Sequence, residues 1–209
     1  MLKTASVLTV AGLAAAASGQ IIITGVIDGG LSGGLPKAVE LYVTQDIADL
    51  SGYSLLGYNN GSSSNNGGST VFSGSAAAGT FLYVSTDAAA FASYFGFEAN
   101  FIGGGPNFNG DDAIALTLNG VAVDVFGEIG VDATGLAWEY TDGWAYRVDG
   151  AGPSTTFNIA DWTFSALDVT DGTTNVGQTG FPFGTYVVPA PGALALAGFG
   201  ALAAARRRR

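Results

Sequence analysis

The chain contains no cysteine and no histidine. The first absence excludes disulfides and thiolate nucleophiles, and the second excludes histidine-based triads. Together they exclude zinc sites of the usual ligand type. Basic residues are scarce as well: seven Lys and Arg stand against 17 Asp and Glu, a net charge of −10. Every acidic residue lies within residues 20–188, where the basic residues are Lys37 and Arg147 alone, so this span carries an excess of 15 negative charges. Such a field repels phosphate backbones, which argues against nucleic acid as a partner. An enzyme built from this chain would have to work with Asp, Glu, Ser, Thr, Tyr, Lys37 or Arg147, as paired-carboxylate glycosidases do.

What is present begins with two unusual ends. Residues 1–19, MLKTASVLTVAGLAAAASG, place one early lysine before an apolar stretch and then small residues. That order predicts a secretory signal peptide, cut near Ala17-Ser18-Gly19 to leave Gln20 or a neighbour as the new start. At the other end, residues 192–205, GALALAGFGALAAA, are apolar and are followed by Arg206 to Arg209. As a helix this run reaches about 21 Å at ~1.5 Å per residue. Val187, Val188 and the adjacent prolines lengthen it toward the ~30 Å of a bilayer core. The arginines would stay on the cytoplasmic side, which makes the segment a stop-transfer tail with the body outside. Pro189-Ala190-Pro191, the apolar run and the arginine cluster together resemble the PEP-CTERM family of bacterial sorting signals, with Ala190 where that family has glutamate. The resemblance implies handling by an exosortase-type membrane enzyme and delivery to the cell surface or an extracellular matrix.

Between the ends, 33 glycines in the chain, scattered Asn-Gly pairs and short β-rich runs predict an all-β domain. Strands are expected near 21–27, 38–44, 53–58, 80–85, 112–118, 121–127 and 144–148, with a polar loop over 59–70. One helix is expected over 86–96, started by Thr86 or Asp87 and ended by Gly96. Val39, Leu41 and Val43 alternate with Ala38, Glu40 and Tyr42, the pattern of a half-buried antiparallel strand. Asn119-Gly120 predicts a tight hairpin in DDAIALTLNGVAVDVFGE. Regular pairing from that turn sets Leu118 against Val121, Leu116 against Val123 and Ile114 against Val125, all facing the core.

The stretches LPKAVELYV (35–43), ADLSGYSL (48–55), NGDDAIALTLNGVAVDVFGEIG (109–130) and GLAWEYTDGWAYRV (135–148), with Asp161-Trp162 after them, resemble the lamin tail domain of exported bacterial proteins. That resemblance implies an immunoglobulin-like antiparallel β-sandwich acting as an accessory module without catalytic residues. The expected organisation is a signal peptide over 1–19, a sandwich over 20–166, a linker over 167–188 and a sorting tail over 189–209.

Two groups are candidate sites. Extending the hairpin ladder brings Asp111 opposite Glu128, a like-charge clash that a cation would relieve. Asp132 follows in a loop, and the carbonyls of Asn109 and Gly130 complete a hard oxygen set of the kind Ca²⁺ takes. The alternative is a ladder that ends early, with Asp111 or Asp112 bonding loop amides. In WEYTDGWAY (138–146), a second hairpin would align Trp138, Tyr140, Trp144 and Tyr146 on one face. Exposed, they would form a platform for sugar rings; buried, the preferred reading, they are core aromatics that help hold a sandwich together. The functional expectation is a non-enzymatic surface or matrix module whose partners are exopolysaccharide, another surface protein or itself, with a glycan hydrolase using paired carboxylates as the alternative.

Overall fold

The computed structural model describes residues 20–188, so the signal peptide and sorting tail lie outside the described residues. Within them the chain is an all-β sandwich of two sheets with a single α-helix. The strands are β1 (Ile21–Leu31), β2 (Leu35–Val43), β3 (Tyr53–Tyr58), β4 (Gly68–Val71) and β5 (Phe81–Ser85), then β6 (Phe101–Ile102) after the helix α1 (Ala88–Phe95). They continue with β7 (Ala113–Leu118), β8 (Val121–Phe126), β9 (Trp144–Arg147) and β10 (Trp162–Phe164). One sheet has the order β10-β9-β1-β2-β5-β6 and the other β4-β3-β7-β8. All pairings are antiparallel except β5 with β6. Parallel neighbours need a crossover, and α1 supplies it. Asp87 caps α1 by accepting from the Ala90 amide, and Gly96 ends it at φ 82°.

Strand alternation builds the space between the sheets. Ile21, Ile23, Val39, Leu41 and Val43 point inward from β1 and β2 to meet Leu55, Ile114, Leu116 and Phe126 from the opposing sheet. The other face of β1 and β2 is also buried. Ile22, Ile27 and Ala38 lie under a second apolar cluster made by Phe91, Tyr94 and Phe95 of α1 and by Val176, Phe181 and Tyr186. Residues 167–188, expected to be a linker, therefore include a strap that crosses the outer face of the six-stranded sheet. The periodicity of the sheet shows only that β1 is apolar on both sides; the strap that covers it is irregular and has no period to read. Gly30 packs so closely under the strap that a Cβ there would lie 1.8 Å from the Thr170 carbonyl oxygen. Backbone on both sides leaves no room to give, so Gly30→Ala is expected to destabilise the fold by about 2–3 kcal/mol, read as a lower midpoint in a urea melt.

The Asn119-Gly120 turn forms as expected, with φ 51° and 79°, and Leu118 faces Val121. The regular register beyond it does not hold. A bulge after the Thr117–Ala122 pair leaves Val123 without an opposite number, so Leu116 faces Asp124 and Ile114 faces Phe126. A shift of one residue moves side chains to the other face. Phe126 and Asp124 turn inward, while Val121, expected in the core, is 67% exposed. The bulge also interrupts an edge strand, where an unbroken ladder would invite pairing with another chain.

Candidate functional site

The inward turn of Asp124 is answered by one of the two basic residues of the span. Arg147, at the end of β9, donates from Nη2 to both Asp124 oxygens at 2.9 and 2.8 Å. The carboxylate also accepts from the amides of Ile23 (2.8 Å) and Ser154 (2.9 Å). The guanidinium also donates from Nε to the Ile23 carbonyl and from Nη1 to the Gly152 carbonyl, and lies 4.5 Å from the Trp162 ring centre. Both side chains are essentially inaccessible to solvent. Burial pushes the Asp124 carboxyl up to about 6 against the pull of Arg147, so the pair is ionised at neutral pH. This centre staples β8 of one sheet to β1 and β9 of the other.

Lys37 is held too. On β2 it sits directly opposite Asp28 of β1, with Nζ 2.7 Å from Oδ1. Burial raises the Asp28 carboxyl and Lys37 lowers it in part. A third buried acid, Glu40, has no cation beside it among the described residues. It accepts from the hydroxyls of Thr24 (2.7 Å) and Tyr146 (2.8 Å) and from the Gly184 amide (2.6 Å). The Tyr146 oxygen in turn accepts from the amides of Thr185 and Tyr186. Glu40 is thus the anchor of the strap, and burial raises its carboxyl.

The three expected calcium ligands do not all converge. The ladder stops at Ile114–Phe126, and the bulge removes the Asp111–Glu128 juxtaposition. Glu128 is exposed beside a groove. Asp111 and Asp132 do come together, through the Thr134 hydroxyl, which lies 3.0 and 2.6 Å from their oxygens. Asp112 accepts from the amides of Asn60 (2.6 Å) and Asn109 (3.2 Å). With its amide nitrogen turned inward, the Asn109 side chain donates to Asp112 at 2.7 Å and to Asp111 at 2.8 Å. The relief of charge in this loop comes from amides and a hydroxyl, the alternative that the sequence left open. Burial raises Asp112, with Asp111 and Asp132 adding to it, while the Thr134 hydrogen bonds lower Asp132.

The four aromatics do not form one platform. Residues 138–146 make no hairpin, because β9 pairs with β1 and β10 instead. Trp138 and Tyr140 fall into the core between the sheets, and Tyr146 and Trp144 into the cluster beneath the strap. Trp138, Tyr140 and Tyr146 are buried and Trp144 half-buried. The Tyr140 hydroxyl is buried and has no hydrogen-bond partner among the described residues.

Two features escaped the sequence reading. Asp142, Asp168 and Asp171 bring carboxylate oxygens within 4.8 Å of one another. Asp142 is raised by burial and by the two neighbouring charges. The signal for this cluster was Asp168-Val169-Thr170-Asp171-Gly172, but its third member lies across the fold. A groove of about 290 Å³ runs between Val125, Gly127, Glu128 and Ile129 on one side and Thr155, Thr156 and Phe157 on the other. It is lined by one carboxylate.

Five carboxyls with raised values, Asp28, Glu40, Asp112, Asp124 and Asp142, bind their protons more tightly in the folded chain than in the unfolded one. Their contribution is fully present below the unfolded value near 4 and is lost as pH rises through the folded values. Thermal stability is therefore expected to increase as pH falls from about 7 to about 5, as calorimetry across that window would record. A melting temperature that falls over the same window would show these groups to be stabilised as anions.

No helix among the described residues is long and apolar enough to cross a membrane. Compared with known protein families, with characterised proteins and with solved structures, the chain matches none. The two family resemblances rest on the residues that carry them in the sequence.

Proposed function

We propose that the chain is an exported, surface- or matrix-associated binding and structural module, released from its signal peptide and sorted through its C-terminal tail by an exosortase-type enzyme. One observation carries the reading: both basic side chains of the body, Lys37 and Arg147, are locked in ion pairs inside it. Arg147 is the centre of a structural staple rather than a free electrophile, and Lys37 is neutralised by its partner. The carboxyls of the fold's interior likewise bond backbone amides and hydroxyls. A paired-carboxylate hydrolase needs two carboxyls about 5–10 Å apart across a substrate groove. The groove beside Glu128 offers one.

The exterior that remains is almost purely anionic and suits partners without negative charge, such as neutral exopolysaccharide or a basic face of another surface protein. The test is an array of bacterial glycans probed with the secreted protein, run beside an assay for released reducing ends. Retention on neutral or amino-sugar glycans without release is the expected result. Release of reducing ends that disappears in an Asp or Glu variant would replace the module by the hydrolase.

A further inference from the structure

The strap runs the length of the six-stranded sheet. It starts near Asp28, where the Thr170 hydroxyl donates to the Asp28 carbonyl, and ends beside the far end of β9. There the Gly150 amide donates to the Val187 carbonyl, the Val187 amide to Asp149 Oδ1, and the Tyr186 hydroxyl to the Ala151 carbonyl. The Val148 amide donates to the Asp161 carbonyl, which brings the turn at Ile159–Asp161 alongside. Val148, Ile159, Val187 and Val188 are all exposed, Val187 to 57%. Gln20 leaves the fold at this same end, since Ile21 opens β1 and Arg147 Nε donates to the Ile23 carbonyl. The Asp28–Lys37 pair and the cluster of Asp142, Asp168 and Asp171 mark the opposite end.

Between Val188 and the apolar run beginning at Gly192 stand three residues, two of them proline. Four backbone steps span at most about 14 Å at ~3.3–3.6 Å each. The headgroup layer takes up about 6 Å of this, half the difference between a ~40–45 Å bilayer and its ~30 Å core. We infer that the end bearing Val148, Ile159, Val187 and Val188 is the membrane-facing surface of the body and rests on the lipid headgroups, with the acidic end directed away. The inference depends on residues 192–205 alone serving as the bilayer anchor, a helix of about 21 Å at ~1.5 Å per residue. Its shortfall is met by local thinning of the bilayer and by the arginines reaching out to the far headgroups, so that Val187 and Val188 stay with the body. Asp149 and Asp161 flank the patch and, among the described residues, no basic one does, so the surface it fits is one of neutral headgroups rather than anionic ones.

The absence of cysteine makes the test direct. The chain from Gln20 to Arg209 is prepared with Val148→Cys, Val187→Cys or Ser32→Cys and labelled with an environment-sensitive fluorophore. Ser32 lies in the β1–β2 turn, about 25–30 Å from the patch at ~3.3 Å per residue. Each sample is mixed with phosphatidylcholine vesicles and floated. Flotation that is lost on truncation after Val188 supports the anchor. With it, the probes at 148 and 187 are expected to shift to the blue and gain intensity severalfold, the probe at 32 to stay unchanged, and the gain to shrink on phosphatidylglycerol vesicles. Flotation without a response at 148 and 187 overturns the docking surface and leaves the anchor standing. A chain that does not float removes the anchor and the surface with it.

Discussion

Replacing Arg147 with methionine is expected to cost about 3–5 kcal/mol, the size seen when one partner of a buried ion pair is removed. Methionine fills much of the space, so the loss comes from the charge that stays behind. Asp124 would keep its amide donors from Ile23 and Ser154 but lose both bonds from Arg147. It would then take up a proton at higher pH than the wild-type value of about 6. The deficit should accordingly shrink on acidification, being larger at pH 8 than at pH 5. Adding Asp124→Asn to the same chain removes the stranded charge and keeps an acceptor for a backbone amide, so it should recover a substantial part of the loss. Urea melts of the two single variants and the double variant form a cycle that separates the pair from its burial. A single variant that melts like the wild type at pH 8 would show that the staple between the sheets carries no weight. The same centre explains why a chain so poor in basic residues buries one: β8 presents a carboxylate to the interior, and a cation must meet it.

Ending the chain after Ala166 is the other large perturbation. Truncation after Val188 should leave the melting temperature of the body unchanged, whereas truncation after Ala166 removes the whole strap. Val176, Phe181 and Tyr186 each contribute about 1.5–3 kcal/mol through burial. Their loss uncovers Ile22, Ile27, Phe91 and Phe95 and strips the Gly184 amide from Glu40. Chain entropy released from the strap offsets part of this. A net loss of about 4–6 kcal/mol corresponds to a fall of about 10–20 °C for a domain of this size, accompanied by binding of a hydrophobic dye. If the two truncations melt together, residues 167–188 are the linker that the sequence led us to expect, and the outer face of β1 and β2 needs no cover.

The contrast between these two regions shows what could be read in advance. Short-range signals were legible because they depend on a few adjacent residues. Asn119-Gly120 set its turn, Asp87 and Gly96 bounded α1, and the alternation over residues 38–43 placed Val39, Leu41 and Val43 inside. Strands β4, β6 and β10, of four, two and three residues, were too short to show a period. The bulge in β8 left no mark either, since its sequence alternates without interruption. That single unpaired Val123 undid the predicted core face, separated Asp111 from Glu128, and brought Asp124 to Arg147.

By itself the sequence determined the all-β class of the domain and the ligand types that a chain without cysteine and histidine cannot offer, because composition, turn residues and strand period act locally and add along the chain. Tertiary structure alone decided which carboxylates are buried, where the two cations go, and that a stretch resembling a linker closes the second core. Those outcomes depend on register and on contacts between residues more than a hundred positions apart, such as Arg147 with Ile23. At that range one extra residue in a strand reverses which side chains meet.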